Sequence, residues 1–152
     1  HYAGILGADS AEIRSVLDEL AQEFLAMGPA IVGFKLGGDG LLLYGANRAR
    51  MRGFAAHVPN ATEWTDRVVE QRSFQVDVVD TTGAGDAAYA GLIKGLLHAL
   101  APQDVAWLAC ACGAASVAGP DAVSGLVEWT NLRDQFLRRR TRASNLLRNQ
   151  AV

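Results

Sequence analysis

Cysteine is nearly absent. Cys110 and Cys112 are the only two in 152 residues, too few for a disulfide scaffold. Standing two apart, they would face different sides of a helix, so they are expected to be small packing residues and not a pair or a shared metal site. The three histidines are scattered without ligand spacing, which argues against zinc. Proline is scarce, at four residues, and no low-complexity linker or internal repeat occurs. No apolar run approaches bilayer-crossing length, and the opening residues do not read as a signal peptide. Basic charge is also short: 14 Lys and Arg against 16 Asp and Glu leave a net charge of -2, where a nucleic-acid binder would be more basic. The expectation is a soluble, cytoplasmic chain that engages neither membrane nor nucleic acid.

What is present is apolar residues, half of the total, and 16 glycines that cluster. That composition is globular, and the length allows a hydrophobic core. Asp9-Ser10-Ala11-Glu12 reads as a capping box. Ile13, Val16, Leu17, Leu20, Phe24 and Leu25 then recur at helical spacing until Gly28-Pro29 stops the helix. Residues 30–36 suit a buried strand, Gly37 to Gly40 a tight turn, and residues 41–44 a second strand. A third strand is expected near residues 50–56, and residues 57–73 read as a long polar surface loop in which Trp64 packs. Residues 76–80 suggest another strand, 81–85 a glycine-rich turn, and 87–100 a helix buried on most sides. Pro102 suits the first turn of a helix over 104–118, which Gly119-Pro120-Asp121 breaks. Trp107 and Trp129 fit core or helix-flanking positions, and Thr130 can cap a last helix to about Arg140. Alternating strands and helices indicate an α/β fold.

The segment that carries chemistry is Asp80-Thr81-Thr82-Gly83-Ala84-Gly85-Asp86, at a strand-to-helix junction. The amides of Gly83, Ala84, Gly85 and Asp86 would point outward at a helix N-terminus. Little side chain blocks an anion there, and the helix dipole favours negative charge. Asp86, beside that site, is placed to take a proton from an attacking hydroxyl. A bare glycine-rich turn often only packs; here two aspartates six positions apart bracket two threonines and two glycines.

This string resembles the C-terminal signature of the ribokinase-like (PfkB) carbohydrate kinases. Lys35-Leu36-Gly37-Gly38-Asp39-Gly40 is similar to that family's nucleotide loop, and the stretch from Gly113 to Gly125 to its late helix and following loop. The resemblance runs from about Gly4 to Leu137. It implies a three-layer α/β/α sandwich, of which residues 1–140 would be the C-terminal part and 141–152 a basic tail. It implies transfer of phosphate from ATP to a hydroxyl of a small sugar or sugar acid. Asp86 would be the base, and Gly83, Ala84, Gly85 and Asp86 the anion hole. Lys35, Leu36, Gly37, Gly40 and Cys110 would line the nucleotide site. Asp80, Thr82, Ser116, Gly119, Asp121 and Gly125 would hold a monovalent cation such as potassium, and magnesium would arrive with ATP.

Some residues depart from the family pattern. Cys110 stands where the family often has an asparagine near the adenine, and a thiol is the weaker hydrogen-bonding group. Asp121 replaces a usual glycine, and the loop from about His57 to Ser73 is long. The sugar-binding carboxylate, the β-sheet lid and an Asn-x-x-Glu motif belong to the family's N-terminal half, and His1-Tyr2-Ala3 does not preserve the end of that motif. The chain is therefore expected to be about half of a family member, inactive alone and homodimeric when intact. Apolar surface and an open sheet edge are expected where the rest would pack. Two alternatives stay open: a non-catalytic nucleotide- or phosphate-binding module, and a nucleoside or vitamin-precursor kinase. The arginines of the tail (Arg133, Arg138, Arg139, Arg140, Arg142, Arg148) read as a solvated helix end.

Overall fold

The computed structural model describes residues 10–128 and 131–132. Asp9, Trp129, Thr130 and the arginine-rich tail lie outside the described residues. The first helix, α1 (Ser10–Ala26), ends before Gly28-Pro29 as its sequence predicts. Strand β1 (Ile31–Lys35) and strand β2 (Leu41–Gly45) follow, joined by a 3-10 turn at Gly37–Asp39 that Leu36 N closes on Gly40 O at 2.8 Å. Helix α2 (Arg48–Phe54), a 3-10 turn (Ala61–Trp64) and strand β3 (Val68–Gln71) come next. Helices α3 (Ala84–Leu97) and α4 (Pro102–Val117) complete the described elements. No helix among them is long and apolar enough to cross a membrane.

The strands form one antiparallel sheet in the order β1-β2-β3, with Lys35 opposite Leu41 and Leu41 opposite Gln71. All five residues of β2 are buried because each face of the sheet is covered. Successive strand residues point to opposite faces. Leu42 and Tyr44 accordingly pack with Ala21 of α1, while Leu41 and Leu43 pack with Val105, Ala106 and Ala109 of α4. The result is three layers: α1, the sheet, then α4 with α3 beside it. Helices α3 and α4 approach closely through small residues. A Cβ on Gly91 would stand 2.9 Å from Leu108 O and 3.0 Å from Ala109 Cα.

A polar cluster ties α1 to the sheet. The Tyr44 hydroxyl donates to the Asp18 carboxylate at 2.5 Å. Arg14 donates to the same carboxylate at 3.0 Å and to Glu70 of β3 at 2.9 Å.

Several sequence expectations need correction. Residues 50–56 are not a strand: α2 takes them up to Phe54 and a turn follows, the helix started by the Asn47 side chain accepting from Arg50 N at 3.1 Å and anchored by buried Met51. Residues 57–73 are not a featureless surface loop. Ala61 and Trp64 have no exposed surface, and β3 completes the sheet with only Val69 buried. Residues 76–80 form no strand among the described residues, since no strand of the sheet reaches them. They run alongside the end of α4, where Val79 N donates to Val117 O at 2.7 Å, and Val78 and Val79 stay exposed. Helix α3 is buried along one stripe only, Ala87, Gly91 and Gly95, while Tyr89, Ile93 and Leu97 are exposed.

Candidate functional site

A cleft of about 430 Å³ opens between the β1–β2 turn, the start of α3, the flank of α4 and the extended segment after β3. Lys35, Gly37 and Gly40 line it from the sheet side, Ala84 and Gly85 from α3, and Cys110 and Gly113 from α4. These seven residues of the two sequence-predicted loops and the late helix thus share one cavity wall. Leu36 differs: its side chain packs on the opposite face, against the cluster of Ala21, Leu42 and Tyr44.

Gly83 is the N-cap of α3, with φ of +78°. A side chain there would be strained by its left-handed backbone, and its Cβ would collide with Ala122. The turn and the 119–125 loop therefore lock together. Ala84 N is taken by Thr81 O at 3.3 Å, and the helix carries on with Ala87 N to Gly83 O at 2.8 Å. A helix has no intrahelical partners for its first amides, so Gly85 and Asp86 present theirs at the N-terminal end of the dipole. Asp86 is exposed in this first turn. The Lys35 ammonium reaches across from β1 to lie 4.0 Å from the centre of the Tyr89 ring.

Of the six residues expected to hold a monovalent cation, Asp80, Thr82, Gly119, Asp121 and Gly125 sit on neighbouring loops and Ser116 in the last turn of α4. Asp80 N donates to Val117 O at 3.3 Å, and the buried Ser116 hydroxyl donates to Ala122 O at 3.1 Å. A Cβ on Gly119 would stand 2.7 Å from Gly125 N. Both carboxylates serve their own turns. Asp80 accepts from Thr82 N at 2.9 Å, and Asp121 from Val123 N at 2.9 Å and Ser124 N at 2.7 Å. These backbone hydrogen bonds, foremost, hold both carboxyls below the usual carboxylate range. Among the described residues no group of three or more His, Cys, Asp or Glu is arranged to hold a metal ion.

Cys110 is 8% exposed, and its thiol lies 3.7 Å from Gln71 O. Burial pushes the thiol up to about 12. The neighbouring wall is Ser73, Phe74, Gln75 and Val76, of which Ser73 is expected in a loop and Val76 in a strand. Phe74 is held by edge-on contact with Trp107, ring centres 5.6 Å apart. An aromatic in an extended, unpaired segment gives no sequence signal of facing a cleft. Tyr89 and Ala122 were missed for the same reason: their role depends on what lies opposite.

Residues 3–129 match the model of the pfkB family carbohydrate kinases. The chain belongs to that family. Solved structures of ribokinase-family kinases share its α/β fold. Ribokinase from Thermotoga maritima is 26% identical with a TM-score of 0.60, over 79% of this chain and 34% of that one. Aminoimidazole riboside kinase from Salmonella enterica, solved with aminoimidazole riboside and an ATP analog, is 30% identical with a TM-score of 0.52, over 71% of this chain and 31% of that one. Fructokinase from Vibrio cholerae O395, in its fructose-, ADP- and calcium-bound form, is 23% identical with a TM-score of 0.57, over 87% of this chain and 37% of that one. This PfkB chain thus spans about a third of their lengths, between 31% and 37%. No curated protein matches it.

Proposed function

We propose that this chain supplies the ATP site, anion hole and base of a kinase that phosphorylates a hydroxyl of a small sugar or sugar acid. The observation that carries the reading is the meeting of the β1–β2 glycine turn and the start of α3 on one cleft, with Asp86 in the first turn beside it. Gly37, Gly40 and Cys110 bound the nucleotide end, and the amides of Gly85 and Asp86 face the phosphate end. As the acceptor oxygen attacks the γ-phosphoryl group, Asp86 takes its proton and the amides stabilise the charge that develops. Magnesium would enter bound to the phosphates of ATP and to water. Potassium would be held around Ser116, Gly119 and Gly125, with Asp80, Thr82 and Asp121 alongside, since oxygen donors suit a hard cation. A cytoplasmic homodimer belongs to the same reading.

A nucleoside acceptor is the second reading, favoured by the 30% identity to a riboside kinase. A non-catalytic nucleotide-binding module is the third, favoured by the buried thiol of Cys110 in the cleft wall. ADP release from magnesium-ATP by the whole protein, measured against sugars, sugar acids and nucleosides, separates the three. The proposal predicts release that depends on one sugar or sugar acid. Nucleoside-dependent release supports the second reading, and ATP binding without acceptor-dependent release the third. Absence of ATP binding overturns all of them.

A further inference from the structure

We propose that Tyr89 is a positioning residue: its ring holds the Lys35 ammonium over the start of α3, where a phosphate chain in the cleft would meet it. The proposal deepens the nucleotide-binding reading above and rests on it. Lys35 is the last residue of β1 and is exposed. A free lysine side chain samples many rotamers, so placing its charge at one point costs entropy. Here that point is defined twice. The ammonium nitrogen lies 4.0 Å from the Tyr89 ring centre, within cation–π range, and 2.6 Å from where a Cβ on Gly85 would be.

The choice of an aromatic partner matters. A carboxylate would neutralise the ammonium and compete with an incoming anion. A ring holds the ammonium by its quadrupole and leaves the net positive charge intact. Tyr89 is 45% exposed, so core packing does not account for the ring. It follows Asp86 by three residues on α3, which puts both on one helix face. The lack of a side chain on Gly85 makes room for the lysine head. The Lys35 charge, the outward amides of Gly85 and Asp86 and the positive end of the α3 dipole therefore converge at one edge of the cleft.

The test is calorimetric titration of the whole protein with ATP and with adenosine, which lacks the phosphates. Tyr89→Leu is expected to weaken ATP about two- to fivefold, the range of one exposed cation–π contact, and to leave adenosine within error. Tyr89→Phe, which keeps the ring, is expected to retain wild-type ATP affinity. Lys35→Gln is expected to weaken ATP selectively, and the double variant with Tyr89→Leu to be no weaker than Lys35→Gln alone. Unchanged ATP affinity in Tyr89→Leu, equal loss for adenosine, failure of Tyr89→Phe to retain affinity, or additive losses in the double variant would each overturn the role of Tyr89. A wild-type chain that binds no ATP would instead overturn the nucleotide-binding reading, and this proposal with it.

Discussion

Ala122 fills the space that a Cβ on Gly83 would need, so the 119–125 loop buttresses the turn from which α3 starts. Gly83→Ala therefore meets two obstacles, a clash with Ala122 and a backbone φ of +78°. The left-handed backbone alone costs about 1–2 kcal/mol and overpacking about 1–3 kcal/mol more. Thermal or denaturant unfolding should show a loss of that order. Ala122→Gly in the same chain should restore the steric part and leave the backbone part. Full restoration would contradict the assigned conformation.

The Tyr44–Asp18 hydrogen bond gives the fold a pH dependence. The Tyr44 hydroxyl, first, and then Arg14 hold the Asp18 carboxyl below its ordinary 3.8. A depressed carboxylate contributes stability above its unfolded value and loses it as pH falls through the folded value. The chain should lose this contribution below about pH 4, and Asp18→Asn should flatten that part of the stability curve. The Asp18 side chain is 49% exposed, so solvent screening keeps the pH-linked part small. Tyr44→Phe, at a buried position, should cost about 1 kcal/mol. No difference between Asp18→Asn and wild type in acid titrations followed by circular dichroism would count against the bond.

Ala99 sits just beyond α3 with φ of +52°, a conformation that favours glycine. The Asn60 amide donates to Ala99 O at 3.0 Å and Leu100 O at 2.6 Å, fixing the link to α4. Ala99→Gly should raise stability by up to about 1 kcal/mol. Asn60→Ala should lower it by about 1 kcal/mol as two part-buried carbonyls lose their donor. Both are read from denaturant midpoints, and a destabilised Ala99→Gly would contradict the backbone assignment.

Burial raises the Cys110 thiol to about 12 and the Cys112 thiol to about 11. A thiolate is the reactive form. At pH 8 neither residue should be alkylated in the folded chain, and both should react in denaturant, as followed by intact mass. Fast labelling of the folded chain would show that α4 is not packed as described.

The long helices were legible because their apolar spacing runs for several turns: Leu17 and Leu25 of α1 do pack against the sheet. The glycine turns were legible because few conformations suit Gly37 to Gly40 or Gly83 to Gly85. Seven-residue α2 was not, since its start depends on Asn47 and its burial on Met51 alone. Strand β3 was hidden because only Val69 of its four residues is buried, leaving little alternation to read. Val78 and Val79 misled in the other direction, as β-branched residues with no strand beside them among the described residues. At the site, Lys35, Gly37, Gly40, Ala84, Gly85 and Cys110 were legible from motif spacing and do line the cleft. Phe74, Tyr89 and Ala122 were not, because their contacts cross between elements distant in sequence.

The proposed kinase needs Asp86 as the base for phosphoryl transfer to a hydroxyl. The direct measurement is turnover and ATP affinity of Asp86→Asn in the protein, with the acceptor that the substrate panel identifies. Loss of the base should lower kcat by about 10²- to 10⁴-fold while ATP affinity stays near wild type. Near-wild-type turnover in Asp86→Asn would contradict the account.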